Sequence, residues 1–344
     1  MLRKIVSLIL AMVLLTGCSA PAESQQKKQY TATFLTLFDT VTTIIGYAES
    51  EEAFENVTNN IRDELEVYHQ LFDIYNDYEG VANIKTINDQ AGIAPVSVDP
   101  IIIDFLLDCK EYYELTGGMV NVAMGSVLYL WHEERDAGIN NPGSGKLPKA
   151  EALEEAAKHC SFDTIIIDEE ASTVYIEDPD QRLDVGAIAK GWASQKVAEN
   201  APAGLLISVG GNVCATGVKK TDSAPWVIGI QDPDDANGNL HTVYVSNQSV
   251  VTSGDYQRSY RVEGKSYHHI IDPATLMPSE GFLSVSIVCQ SSADGDALST
   301  ALFCMTLEQG MALIESLPDT EAMWVLEDGT KKTSSGFESY TVKE

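Results

Sequence analysis

Positive charge is what this chain most lacks. Its 344 residues hold 22 Lys and Arg against 51 Asp and Glu, a formal net charge of −29. A surface this acidic repels a phosphate backbone, which excludes nucleic acid as a partner. It also disfavours lying flat on an anionic bilayer, so any hold on a membrane needs another device. Cysteine is scarce too. Besides Cys18 there are only Cys109, Cys160, Cys214, Cys289 and Cys304, an odd number without metal-type spacing. That argues against a disulfide framework and a thiolate metal centre, and leaves most of them as buried thiols. No internal repeat is present, and no apolar run is long enough to span a bilayer.

The one pronounced apolar run, Ile5 to Leu15, follows Arg3 and Lys4 and is interrupted only at Ser7. Its length suits a secretory signal, not a transmembrane helix. It ends in Leu15-Thr16-Gly17-Cys18, which resembles the lipobox of bacterial lipoproteins, where cleavage precedes a cysteine that is then lipidated. The expectation is a signal peptide over residues 1–17 and acyl chains on Cys18. These would hold the mature protein outside the cytoplasmic membrane, on its outer face or in the periplasm. An ordinary cleavage site with an incidental cysteine is the plain alternative. Residues 18–29 lack bulky apolar side chains and read as a tether. Residues 30–344 can bury a large core.

Within that stretch, Thr31 to Tyr47 reads as two strands joined near Phe38-Asp39-Thr40. Ser50 caps a helix whose Phe54, Val57, Ile61, Leu65, Tyr68 and Phe72 recur at helical spacing. Asp99-Pro100 opens another helix, which Gly117-Gly118 stops. A hairpin is expected over 163–177, a helix from Asp184 to Asn200, and an apolar strand over Leu205–Val209 ending in Gly210-Gly211. Strands over 257–262 and 267–271 pair across Glu263-Gly264-Lys265. Helices follow over 296–305 and 307–317. Strands grouped with helices, without strict βαβ alternation, predict an α+β fold in one large domain.

The chemistry concentrates in two segments. Ser266-Tyr267-His268-His269-Ile270-Ile271-Asp272-Pro273 sets two imidazoles beside a carboxylate. Ala293-Asp294-Gly295-Asp296-Ala297-Leu298-Ser299-Thr300 sets the Asp296 carboxylate and the Thr300 hydroxyl on one helix face. Oxygen ligands suit a hard cation such as Mg2+, and a neutral imidazole suits a general base. The bland readings are an Asp at a helix N-terminus with a Thr bonded to its own backbone. Adjacent histidines in a strand point to opposite faces, so one of the two is expected to be structural; Asp272-Pro273 suits a turn. Asp184 either caps a helix or binds a ligand, and Gly210-Gly211 either relieves a bulge or cradles a phosphate.

Seven segments fall in a familiar order: Phe38-Asp39-Thr40; Gly118-Met119-Val120-Asn121 leading to Leu130-Trp131; Leu183-Asp184-Val185-Gly186-Ala187-Ile188-Ala189-Lys190-Gly191; Ser208-Val209-Gly210-Gly211-Asn212; Thr252-Ser253-Gly254-Asp255-Tyr256; His269-Ile270-Ile271-Asp272-Pro273; and the Asp296 to Thr300 pair. In this order they resemble the ApbE-type flavin transferases (FAD:protein FMN transferases, formerly thiamine biosynthesis lipoproteins) over about residues 31–342. The resemblance implies an ApbE-like fold that takes FAD as substrate with Mg2+. The expected reaction moves FMN onto a Ser or Thr hydroxyl of an acceptor flavoprotein and releases AMP. The implied acceptors are extracytoplasmic subunits of membrane redox complexes and related reductases.

Carried over residue by residue, the resemblance places metal ligands at the Asp296 and Thr300 side chains and the Ala187 carbonyl. It places FAD contacts at Phe38, Tyr75, Met119, Val120, Asn121, Asp184, Lys190 and Ile271, and the candidate base at His269. Two departures stand out: Asn121 where many members carry Asp, and Ser299 where some place a second metal-binding Asp. Two other readings compete: a Mg-dependent FAD pyrophosphatase that releases FMN and AMP, and a lipid-anchored flavin-binding protein without catalysis. The second of these needs neither a metal nor a base.

Overall fold

The computed structural model describes residues 27–341 apart from Pro142 and Gln257; the expected signal peptide and Cys18 lie outside the described residues. The first strand, β1 (Lys28–Phe34), begins before the expected end of the tether and pairs with β2 (Thr42–Ala48). Ser50 accepts the Ala53 N–H and opens α1 (Glu51–Phe72), whose Phe54, Ile61, Leu65, Tyr68 and Phe72 are buried. A capping box at Asn83 starts α2 (Ile84–Asp89), and Asp99-Pro100 starts α3 (Pro100–Leu115) after the short β3 (Val96–Ser97).

The middle of the chain contains α4 (Gly125–Asn140), α5 (Ala150–Ala156), the hairpin β4 (Ile165–Asp168) and β5 (Thr173–Ile176), and α6 (Ala189–Asn200). The strands β6 (Leu205–Val209), β7 (Asn212–Ala215), β8 (Trp226–Asp232), β9 (Asp235–Val245) and β10 (Ser249–Gly254) follow. Beyond these come β11 (Ser259–Val262), β12 (Lys265–His268), β13 (Phe282–Cys289), α7 (Ser292–Phe303), α8 (Leu307–Ser316), β14 (Glu321–Leu326) and β15 (Lys331–Thr333).

Eight strands form the central sheet in the order β1-β2-β6-β7-β10-β13-β14-β15, and every neighbouring pair is antiparallel. Alternate side chains serve two cores, as the two-residue period of a strand requires. Ile44, Ile207 and Cys214 join α1, α3 and α6, while Ile287 and Trp324 join α7 and α8. On the other face Ile45, Leu206, Val213, Val250, Val288 and Met323 meet the β8–β9 hairpin through Trp226, Ile228, Ile230 and Val243. A fourth cluster joins α4, α5 and the β11–β12 hairpin through Trp131, Leu153 and Tyr260. The architecture is a single α+β domain. The five cysteines it contains are free thiols, with Cys109, Cys214 and Cys289 buried.

Five expectations are corrected. Helix α6 begins at Ala189, so Asp184 does not cap it; the Asp184 Oδ1 instead accepts the Gly186 N–H at 3.0 Å in a tight turn. Helix α7 begins at Ser292, capped by Ser291, which puts Asp296 in its second turn and not at its N-terminus. The β11–β12 turn contains two residues, since Val262 pairs with Lys265. Glu263 and Gly264 both have positive φ, 49° and 87°, as a mirror-image type I turn needs. Strand β12 ends at His268, so His269 lies just beyond it. The Gly210-Gly211 pair, at φ 57° and 96°, forms a hairpin turn between β6 and β7 and not a bulge.

Candidate active site

A cavity of about 640 Å3 opens where the main sheet, α4 and α7 converge. Phe38, Tyr75, Met119, Val120, Asn121, Asp184, Ala187, Lys190, His269, Ile271, Asp296 and Thr300 all line it. The residues named from sequence are thus gathered from segments up to 262 positions apart (Phe38 to Thr300).

The floor is made by α6 crossing α7. Asp296 is only 4% exposed, and its Oδ2 accepts the Gly191 N–H at 2.7 Å, with Lys190 Nζ 3.6 Å away. Gly191 permits this approach, because a Cβ there would lie 2.3 Å from Asp296 Cβ and 2.4 Å from the Ser292 carbonyl. Burial pushes the Asp296 carboxyl above its usual range, against the pull of Lys190, the Gly191 N–H and the Asn212 amide. Asn212 is itself buried, and its Nδ2 faces this carboxylate without an aligned partner among the described residues. Thr300 lies one turn beyond Asp296 on the same face. It too lines the cavity.

Asp296, Thr300 and Ala187 line the same cavity, and a carboxylate, a hydroxyl and a main-chain carbonyl are the kind of oxygen donors that suit Mg2+. Ser299 does not extend it. Its hydroxyl bonds Ser253 Oγ at 2.8 Å and donates to the Asp296 carbonyl at 3.1 Å, fully buried.

The turn bearing Asp184 is fixed from three sides. Asn88 donates to the Leu183 carbonyl at 3.0 Å and accepts the Leu183 N–H at 2.7 Å, while the Asp184 N–H reaches the Val122 carbonyl at 2.8 Å. Lys190 Nζ donates to the Gly186 carbonyl at 3.2 Å. The turn carrying Phe38 is strained: Phe38 and Asp39 sit at φ 53° and 51°, a left-handed backbone costly for side chains with a Cβ. Such strain persists only where the surroundings fix it, here including the Phe38 N–H to His69 Nδ1 bond at 3.3 Å.

The two histidines separate cleanly. His268 is fully engaged: its Nε2 donates to the Ser279 carbonyl at 2.8 Å and its Nδ1 accepts the Ile270 N–H at 3.2 Å. His269 lines the cavity, with Nδ1 sealed from solvent and without a partner among the described residues. Burial first, then the nearby Arg258 and Lys190, hold its imidazole down to about 3. It is therefore neutral at physiological pH, and the negative charge of a diphosphate bound beside it would raise its basicity. Asp272 folds back on its own turn, accepting the Ala274 N–H at 2.8 Å. Asn121 is spent structurally, accepting the Ala123 N–H at 2.9 Å and donating to the Cys160 carbonyl at 3.0 Å. An Asp could not make that donation, which accounts for an amide at this position.

Sequence reasoning missed His132, Arg135 and Arg258, which also line the cavity. The first two sit on α4, and the spacing Leu128, His132, Arg135 was the available signal, being one face of a helix. Tyr75 Oη lies 2.9 Å from His132 Nδ1, and His132 Nε2 is 3.7 Å from Asp184 Oδ2. Burial lowers the His132 pKa, with Asp184 pulling the other way. With Lys190, these arginines give a cation-lined cavity in a chain of net charge −29. Cations along the lining, oxygen donors at the floor and a neutral imidazole make a site suited to phosphoryl chemistry on an anionic substrate.

The ApbE family matches residues 38–324. An FAD:protein FMN transferase of Treponema pallidum is 34% identical, across 74% of this chain and 73% of that protein. Another, from Klebsiella pneumoniae, is 31% identical across 71% and 75%. The crystal structure of the ApbE protein of Thermotoga maritima superposes with a TM-score of 0.80 at 28% identity, covering 92% of this chain and all of that one. The chain belongs to the ApbE family.

Proposed function

We propose that this protein is a FAD:protein FMN transferase that uses Mg2+ to move FMN from FAD onto a Ser or Thr hydroxyl of an acceptor flavoprotein, releasing AMP. The observation that carries this reading is one cavity lined by Asp296, Thr300, Ala187 and a neutral His269 whose Nδ1 has no partner among the described residues, in a chain whose relatives carry that activity by name. Asp296, Thr300 and Ala187 would hold the cation. When bound, Mg2+ supplies electrostatic stabilisation to the charge growing on the phosphates.

The rest is done by the chain. His269 takes the proton of the acceptor hydroxyl as its oxygen forms the bond to the FMN phosphorus. The P–O–P bridge breaks, and the electron pair leaves with AMP. Lys190 faces the phosphates, and Arg135 and Arg258 lower the cost of bringing a dianionic bridge into an acidic protein. Phe38 and Tyr75 offer ring faces to the flavin or adenine. The same proposal keeps the lipid anchor at Cys18, an extracytoplasmic location, and an acceptor that is a subunit of a membrane redox complex or related reductase. Metabolic labelling with a radioactive fatty acid tests the anchor, since Cys18→Ala should abolish the label.

The activity is tested by mixing the protein with FAD, Mg2+ and a candidate acceptor domain. AMP together with flavin fluorescence on the denatured acceptor is the expected result. AMP with only free FMN makes the protein a pyrophosphatase, and no AMP with bound FAD makes it a carrier.

A further inference from the structure

Tyr75 is 54% exposed, on the segment leaving α1, and it contributes to the wall of the cavity. Two separate devices hold it. The backbone is fixed by Asp73, whose Oδ1 accepts the N–H groups of Tyr75 at 2.6 Å and Asn76 at 3.0 Å. Its Oδ2 accepts Asn76 Nδ2 at 2.9 Å and the Tyr78 hydroxyl at 2.7 Å. None of those bonds constrains the Tyr75 ring, which can still swing about χ1. The ring is tied at its far end, where the hydroxyl meets His132 Nδ1 at 2.9 Å with the Arg135 guanidinium close by. The ring centroids stand 6.3 Å apart with the planes tilted by 46°, so the contact is a hydrogen bond and not a stack, and about half of Tyr75 stays exposed.

The tie is well founded on the His132 side. Helix α4 is docked by Trp131, whose Nε1 donates to the Leu276 carbonyl at 3.0 Å, and by the buried Val127. His132 is neutral, so Nδ1 can accept a hydrogen bond while Nε2–H faces the Asp184 carboxylate at 3.7 Å. That carboxylate belongs to the stapled turn described above, so the imidazole is oriented by a rigid element. The tautomer that suits Asp184 is the one that leaves Nδ1 available to Tyr75.

We propose that His132 is a positioning residue for FAD: by accepting the Tyr75 hydroxyl it pins that ring across the cavity mouth, where its exposed part receives a flat heteroaromatic ring of the dinucleotide. The inference rests on the proposed FAD chemistry and adds to it a residue on α4. It makes binding, not the chemical step, the quantity that His132 controls, because the imidazole acts through Tyr75.

The test measures FAD, FMN and AMP binding to the full-length protein by calorimetry, alongside steady-state kinetics. His132→Leu is expected to raise the KM for FAD about tenfold with kcat within about twofold, and Tyr75→Phe to do the same. The double variant should be no worse than either single one, because both remove one bond. His132→Gln, whose side-chain carbonyl can accept the hydroxyl, should restore most of the affinity. Whichever of FMN or AMP weakens in parallel with FAD identifies the stacked ring. Melting temperatures of the four variants guard against a merely structural effect, and are expected to stay near that of the parent. Unchanged FAD affinity in His132→Leu, or additive losses in the double variant, overturns the proposal. A parent protein that binds no FAD at all would instead defeat the functional reading beneath it.

Discussion

The floor and the mouth of the cavity are built on opposite principles. At the floor, Asp296 is buried, its carboxylate is held by the main chain of another helix, and the crossing leaves no room for a methyl group. At the mouth, Tyr75 stands half in solvent, and its ring is tied through its hydroxyl to a helix 57 positions away. The difference teaches where each kind of work is done. Charge must be placed to within fractions of an ångström where bonds break, so the floor is over-determined. The mouth must admit and release a large ligand, so it relies on contacts that can open.

The sharpest way to break this comparison is at Asp296. Asp296→Ala should lower turnover at least about a thousandfold, roughly 4 kcal/mol in the barrier, while the protein stays folded. AMP release at the parent rate would remove the floor from the chemistry. Next comes Gly191→Ala, which forces a methyl group onto Asp296 Cβ and the Ser292 carbonyl. Urea unfolding should show a loss of about 3 kcal/mol. A neutral outcome would mean that the crossing can relax and the floor is softer than described.

His269→Asn should cost about a hundredfold in kcat. It should also change how stability depends on pH. The folded value near 3 lies below the usual 6.5, so the unfolded chain takes up a proton that folded His269 refuses. Stability is therefore full above about pH 6.5 and is lost as pH falls towards 3. Between pH 6.5 and 4.5 the variant should lose on the order of 2 kcal/mol less than the parent in paired denaturation curves. The mouth variants come after that, with the tenfold change in KM already described. Smallest is Asn121→Asp, which puts a carboxylate against the Cys160 carbonyl and should cost about 1 kcal/mol of stability. A gain in stability there would show that Asn121 is held by something other than that bond.

What could be read from the sequence followed the strength of local signals. Helix α1 announced itself through the Ser50 cap and a regular apolar face, and α3 through Asp99-Pro100. Helix α4 went unread because its cavity side carries His132 and Arg135 where a core helix would be apolar, leaving few buried positions such as Val127 and Trp131. The start of α7 was placed four residues late because Ser292-Ala293-Asp294-Gly295 looks like a loop in isolation. Only packing against Val251 and Cys289, where Gly295 gives close approach, makes it helical. Strands β7, β10 and β14 carry weak signals of their own and are defined by their partners. The candidate site residues came from the ordered resemblance, and they line one cavity. The arginines were not legible, since nothing in a linear chain shows that Arg135 and Arg258 border that cavity.

The grip of Gly191 on Asp296 has a practical corollary. Because one helix's acid is clasped by another helix's amide, whatever occupies the pocket base also tugs on the joint between them. Heat resistance then becomes a gauge of occupancy: a cation or nucleotide settling there should shift the melting curve even where no flavin is transferred, so a simple thermal scan can sort ligands before any acceptor is in hand.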